Sequence, residues 1–297
     1  MTIFQSIFLG LLQGIAEFLP ISSSGHLAVA QHLFGLNDLP LVFDVMLHLA
    51  TLLAVIIYYR KKLYKLICVF FCVITRRTSK IQENPNDGLC GNQKLSQMTI
   101  VAVIIATLIT GVIGVFTSKC IPDLPVKYIC IGFVVTGGML LLSKFLQDRN
   151  ARSKTVEEAA NAQGIFETRG VSETRGVSIK QSIIIGLMQG LGTLPGISRS
   201  GSTITGALAC GVDRKDAGDF SFIVSIPAIF GAFLLEAKDL SEVASSVGFL
   251  PLFAGCAVAF ISGYLALASL IKLIKKGKLF YFSFYLIPAG ILGFLFL

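Results

Sequence analysis

The sequence predicts an all-α integral membrane protein of inverted-topology repeats, with about six transmembrane helices and two broken, re-entrant helix pairs meeting near the midplane. Three observations carry this. The 297 residues are 54% hydrophobic and only 14% charged, with a mean hydropathy of +0.78, whereas a soluble chain of this length needs more polar surface to cover its core. The apolar runs are long and continuous, where a membrane barrel would show short alternating segments. Two interrupted apolar segments, 3–35 and 180–211, carry Pro, Ser and Gly in their middles and are copies of one another.

A hydrocarbon core of about 30 Å takes about 20 helical residues to cross. Six runs reach that length, near 41–59, 98–118, 126–146, 218–236, 250–271 and 279–297. The shorter apolar piece 63–74 is flanked by cations and reads as an interfacial helix. Residues 75–97 and the polar linker 147–178 read as disordered or weakly structured cytoplasmic loops. The linker holds a tandem hexapeptide, Glu167 to Ser172 and Glu173 to Ser178, with no function assigned to it. The organisation is thus one membrane domain, 1–297, with internal repeats at 1–146 and 179–297.

The net charge of +8 is explained by where the cations sit. With Arg60 to Lys94 cytoplasmic, 21 of the 25 Lys and Arg fall on that side, leaving Lys119, Lys127 and Lys238 outside and Arg199 within the second broken segment. That asymmetry is the positive-inside pattern. Residues 1–59 hold no Lys or Arg, so the first segment is expected to enter from outside. No aromatic-basic interleaving marks a nucleic-acid surface, and no nucleic-acid partner is expected. Met1 to Phe4 lack a basic n-region and a cleavage site, so no cleaved signal peptide is expected. The seven Cys form no C-x-x-C and lie mostly inside apolar runs, which reads as small buried residues.

The repeat is specific. At a constant offset of 176, Gln5 to His26 and Gln181 to Ser202 are identical at 11 of 22 positions, among them Gln13/Gln189, Gly14/Gly190, Ser22/Ser198, Ser24/Ser200 and Gly25/Gly201. Chance likeness between apolar segments would match Leu and Ile instead. Three spans follow each copy, an odd number, so the second copy is expected upside down relative to the first. Broken helices in inverted repeats occur in transporters as well as enzymes.

The polar residues of these segments suit an anion. Gln13 and Glu17 are four apart and share a helix face. Pro20 ends that half-helix, and Ser22, Ser23, Ser24 and Gly25 open another, with His26 in its first turn. The second copy does the same with Pro195 and Gly196, then Ser198, Arg199, Ser200, Gly201 and Ser202. A helix N-terminus offers free backbone amides, serines add donors, and Arg199 adds a fork matched to phosphate oxygens. Two such ends facing each other would cradle a diphosphate. Serine and glycine also serve close helix packing in membranes, which for each serine alone weighs about as much. Ionisable groups at membrane depth, Glu17 and Arg199, mark function by default. Asp44 and His48 share a helix face at the start of a span and are assigned a supporting role, and His32 reads as an interfacial residue.

At these residues the chain resembles the undecaprenyl-diphosphatase, or bacitracin-resistance, family. The matching stretches are LLQGIAEFLPISSSGHL at 11–27, FDVMLHLATLLAV at 43–55, PGISRSGST at 195–203 and FSFIVSIPAIFGA at 220–232. The resemblance implies removal of the terminal phosphate from a long polyprenyl diphosphate, regenerating a carrier lipid for cell-wall synthesis. It also implies a divalent cation, Mg²⁺ or Ca²⁺, and a site opening to the outer face of a bacterial inner membrane, and it allows a homodimer. By position, the acidic-motif pair falls on Gln13 and Glu17, the serine candidates on Ser22, Ser23 and Ser24, the histidine on His26 and the phosphate-binding arginine on Arg199. Gln13 stands where many members have Glu, so Glu17 carries more of the metal's charge. Three nucleophiles stay open: Ser23 activated by His26, His26 itself, or a water that His26 deprotonates. A transporter or lipid flippase using Glu17 and His26 as a proton relay is the alternative from another class, and a structural scaffold a third.

Overall fold

A computed structural model of the chain describes residues 1–36, 39–75, 84–120, 124–162, 176–236 and 247–297. It is all-helical among these residues. The first copy runs α1 (Ile3–Phe18), α2 (Ser23–Leu33), α3 (Leu41–Ile74), α4 (Gln93–Cys120) and α5 (Val126–Ala162). The second runs α6 (Ile179–Leu191), α7 (Arg199–Ala209), α8 (Arg214–Glu236), α9 (Phe249–Lys275) and α10 (Ser283–Phe296), with short 3-10 turns at Pro85–Cys90 and Leu279–Phe282.

Six helices are long and apolar enough to cross a membrane, and they overlay the six predicted runs. Their outer faces carry bare apolar side chains, such as Phe4 at 72%, Val112 at 73% and Phe249 at 79% exposure. A soluble protein would bury these, whereas lipid tails solvate them at no cost. The chain is a multi-pass membrane protein. The four helices of the broken segments have 11 to 16 residues, about 16 to 24 Å at 1.5 Å per residue. None is long enough to cross the core alone.

Two boundaries differ from expectation. The 63–74 piece is no separate interfacial helix but the continuation of α3, which runs 34 residues without interruption. The cations Arg60, Lys61, Lys62 and Lys65 mark where the helix leaves the lipid, and no Gly or Pro follows to end it there. Likewise α5 continues to Ala162, through sixteen residues expected to lack structure. That stretch is rich in Ala, Glu, Arg and Lys and free of Gly and Pro, so its propensity is helical. Of the hexapeptides, all but Gly176, Val177 and Ser178 lie outside the described residues. The 75–97 loop includes the 3-10 turn and the start of α4, and Leu89 and Cys90 are buried against the helices.

The first helix of each copy packs against the fourth of the other: α1 on α9, and α6 on α4. Glycines spaced by four make both contacts close. A Cβ on Gly14 would stand 2.6 Å from the Ala259 carbonyl oxygen, and one on Gly186 would stand 2.9 Å from Ala106 Cα. Small residues at this spacing let helix backbones approach in lipid, where dispersion and packing replace the hydrophobic drive. The remaining long helices pair across the copies, α3 with α8 and α5 with α10. The breaks of α1–α2 and α6–α7 are held facing each other in the middle.

Candidate active site

Each break is built by a serine cap. Ser22 Oγ accepts from the Gly25 amide at 3.3 Å, and Ser198 Oγ accepts from the Gly201 amide at 3.1 Å. The next amides, of His26 and Ser202, donate to the Ser22 and Ser198 carbonyls. This leaves the amides of Ser23 and Ser24 in one helix, and of Arg199 and Ser200 in the other, unpaired among the described residues. Open amides at a helix N-terminus carry positive potential, and here two such ends come together on one carboxylate: Ser23 and Arg199, the first residues of α2 and α7, both bond Glu17. The turns are tight. Ser22 holds φ +70°, the one non-glycine at positive φ among the described residues, and Gly196 holds +84°. A Cβ on Gly196 would run into the Ile129 carbonyl.

Glu17 lies between the two ends, at 5% exposure. One carboxylate oxygen, Oε1, accepts from the Arg199 guanidinium. The other, Oε2, accepts from Ser23 Oγ at 2.6 Å and from Gln13 Nε2 at 3.1 Å. His48 Nε2 stands 3.4 Å from the same oxygen. His48 Nδ1 donates to the Asp44 carbonyl at 2.7 Å, which orients the ring. A carboxylate at membrane depth is thus matched by a guanidinium, a hydroxyl, an amide and an imidazole, as burial of a charge demands.

Of the predicted residues, Gln13, Glu17, Ser23, Arg199 and His48 converge. Asp44 does not reach them: its Oδ1 accepts from Gln31 Nε2 at 2.6 Å and ties α3 to α2. Ser22 and Ser198 hold their own helix ends, Ser198 Oγ also meets Ser200 Oγ at 3.2 Å, and Gly201 packs against Ser198 and Thr136. Ser24 is exposed and makes no side-chain hydrogen bond among the described residues. His26 is not paired with Ser23. Its Nδ1 bonds the Ser22 carbonyl at 2.8 Å, its Nε2 bonds the Tyr285 hydroxyl at 2.8 Å, and its ring stacks on Phe133 at 4.6 Å. Exposed His32 lies apart, near the end of α2. Sequence reasoning missed Tyr285 and Thr136, whose hydroxyl accepts from the Ser198 amide at 3.0 Å, since neither has a local signal.

The donor set near Glu17 suits a hard cation. Gln13 Oε1 is buried without a hydrogen-bond partner among the described residues, one helical turn before the carboxylate. A free amide oxygen beside a carboxylate and a hydroxyl is an oxygen-only set of the sort Mg²⁺ and Ca²⁺ take, with waters or substrate oxygens completing the sphere. Among the described residues no group of three or more His, Cys, Asp or Glu converges to hold a metal by itself.

The fold and this arrangement define a class: a polytopic helical membrane protein with a buried ionic site between two broken helices. Its family follows from comparison. Residues 6–292 match the family model of the bacitracin resistance protein BacA, and the chain belongs to that family. It is 43% identical over 292 residues to the undecaprenyl-diphosphatase of Treponema denticola, covering 98% of this chain and 96% of that one. It is 37% identical over 290 residues to the undecaprenyl-diphosphatase of Borreliella burgdorferi, covering 98% and 96%. The undecaprenyl-diphosphatase of Alkaliphilus metalliredigens is 37% identical over 302 residues, covering 100% and 99%.

Proposed function

We propose that the chain hydrolyses undecaprenyl diphosphate to the monophosphate and inorganic phosphate, at the outer face of a bacterial inner membrane. The reaction recycles the carrier lipid for cell-wall synthesis and underlies bacitracin resistance. Family membership supports the reaction, and one observation carries the site: two helix N-termini with open amides face a buried Glu17–Arg199 pair.

The diphosphate seats on the amides of Ser23, Ser24, Arg199 and Ser200, with the Ser24 and Ser200 hydroxyls as further donors. Its terminal phosphoryl group competes for the Arg199 fork, because guanidinium fits phosphate oxygens as well as carboxylate. As Arg199 turns to the phosphate, Glu17 keeps Oε2 on the Ser23 hydroxyl and serves as its base. Ser23 Oγ, already donating to Oε2, passes its proton to Glu17 and attacks the terminal phosphorus. The bond to the bridging oxygen breaks, and undecaprenyl monophosphate leaves with that bond's electrons. His26 lies three residues from Ser23 and shares its helix face. Water gives a proton to the histidine as its oxygen bonds the phosphorus of the phosphoserine. The P–Oγ bond breaks, phosphate leaves, and Glu17 returns to Ser23 Oγ the proton it took. Gln13 and Glu17 hold a divalent cation, Mg²⁺ or Ca²⁺, which when bound supplies further neutralisation of the diphosphate's charge.

The reading is tested with undecaprenyl diphosphate labelled on its terminal phosphate, turned over by purified protein in detergent and quenched in acid. Labelled phosphate in the wild type, with a labelled phosphoserine that Ser23→Ala lacks, supports both the reaction and the nucleophile. Release without any protein-bound label moves the nucleophile to water. No release at all, with lipid movement in proteoliposomes, replaces the phosphatase by a transporter.

A further inference from the structure

His26 has a hydrogen-bonding pattern that determines its own protonation. A backbone carbonyl only accepts, so the 2.8 Å contact from Nδ1 to the Ser22 carbonyl places the proton on Nδ1. In the neutral ring this leaves Nε2 a single lone pair. That lone pair already accepts from the Tyr285 hydroxyl, 2.8 Å away. Nothing further can give His26 a proton at Nε2 while Tyr285 is there, except through the tyrosine oxygen.

Two rings contact the imidazole. Phe133 of α5 stacks on it with centroids 4.6 Å apart and planes at 30°, and the Tyr285 ring lies 5.7 Å from it at 25°. The α10 backbone that carries Tyr285 is seated tightly on α5, since a Cβ on Gly290 would stand 2.7 Å from the Cys130 carbonyl oxygen and 3.1 Å from Phe133 Cβ. Tyr285 itself is half exposed, so its oxygen keeps an open lone pair toward whatever occupies the space beside α2.

We propose that Tyr285 is the proton conduit of His26: the tyrosine oxygen accepts the proton of the attacking water as its own hydroxyl proton passes to Nε2. The water's O–H bond breaks as its oxygen bonds phosphorus, the phenol is regenerated in the same step, and the charge gained rests on the imidazolium. The inference rests on the phosphatase reading and adds to it a residue 259 positions from the histidine it serves, contributed by the other copy of the repeat.

The test compares wild type, Tyr285→Phe, His26→Ala and the double variant in phosphate release from undecaprenyl diphosphate. The same proteins are labelled with ¹⁵N-histidine for NMR, with His26→Ala assigning the resonance among three histidines. Phenylalanine keeps the ring stack and removes only the hydroxyl. We expect Tyr285→Phe to lower kcat by roughly tenfold or more, part of the 10²–10⁴ that a positioned proton acceptor contributes, with KM unchanged. In the His26→Ala background it should cost nothing further, since the two residues act as a unit. The wild-type His26 spectrum should show a protonated Nδ1 and an unprotonated, hydrogen-bonded Nε2 whose resonance moves in Tyr285→Phe. Undiminished kcat in Tyr285→Phe, additive losses in the double variant, or a wild-type His26 protonated at Nε2 alone would each overturn the proposal. Failure of the phosphatase reading is distinguishable: the wild type then releases no phosphate, and the conduit role falls with it while the NMR result still decides the pairing.

Discussion

Ser23 and Arg199 occupy the same position in the two copies, each the first residue of its helix, and both donate to the carboxylate of Glu17, one to each oxygen. The two segments supply matching helix starts, with a hydroxyl at this position on one side and a guanidinium on the other. Glu17 has no acidic counterpart, since Thr193 stands at its place in the second copy. Two serine-capped helix starts thus hold one asymmetric site.

The ion pair has consequences for stability. Arg199→Ala leaves Glu17 buried without its counter-charge and should destabilise the protein by about 3–5 kcal/mol, the range for breaking one side of a buried pair. Adding Glu17→Gln to Arg199→Ala should recover part of that loss while activity stays absent. Thermal unfolding in detergent, followed beside phosphate release, separates the two effects. Equal stability of wild type and Arg199→Ala would mean that Glu17 is not held by Arg199.

The breaks depend on two backbone positions. Gly196→Ala places a Cβ against the Ile129 carbonyl at a φ of +84° and should destabilise the protein by more than about 1 kcal/mol, read as a lower melting temperature. Ser22 is the contrasting case. At φ +70° it stores strain but caps α2, so Ser22→Gly should be near neutral, whereas Ser22→Ala keeps the strain and loses a cap of about 1 kcal/mol. A Ser22→Ala protein as stable as Ser22→Gly would contradict this.

The proposed cation site is tested at Gln13. Gln13→Glu adds a carboxylate beside Glu17 and should lower the Mg²⁺ or Ca²⁺ concentration giving half-maximal activity. Gln13→Ala removes an oxygen donor and should raise it. A titration of phosphate release against each cation reads both shifts. Unchanged midpoints in the two variants would remove Gln13 from the cation site.

Two thiols test the topology. Cys90 is buried, and burial pushes its thiol up to about 11. At pH 7.5 only about 0.03% is then thiolate, the reactive form, so a single-Cys90 variant should resist maleimide until the protein unfolds. Cys120 is exposed at the end of α4, on the side predicted to face outward. A membrane-impermeant maleimide should label a single-Cys120 variant in intact spheroplasts. Labelling only after permeabilisation would invert the orientation.

Much of this was legible in the sequence because local rules write it there. Pro20 follows directly on the end of α1, whereas α6 already stops at Leu191, four residues before Pro195. Ser22 and Ser198 begin the next helices, and the spacing of Gln13 and Glu17 sets a shared face. The Glu17–Arg199 pair could be expected because two lone charges at membrane depth require partners. Helix ends outside the lipid were misread at 63–74 and 147–162, since cations there report the membrane boundary and not a backbone break. Tyr285, Thr136 and the Gln31–Asp44 bond were invisible, because their contacts depend on how α10, α5 and α2 pack and leave no periodic mark. The His26–Ser23 pairing considered from sequence gave way to Ser23–Glu17 for the same reason: sharing a helix face does not decide which neighbour a hydroxyl meets.

The most direct measurement is phosphate release from undecaprenyl diphosphate by purified protein in detergent, with Mg²⁺ or Ca²⁺ and with chelator, beside Glu17→Ala and Arg199→Ala. A site built on the Glu17–Arg199 pair gives cation-dependent release in the wild type, lost on chelation and reduced at least 100-fold in both variants, on the scale of losing a preorganised charge in a water-poor site. Release by a folded Glu17→Ala or Arg199→Ala protein at the wild-type rate would contradict it.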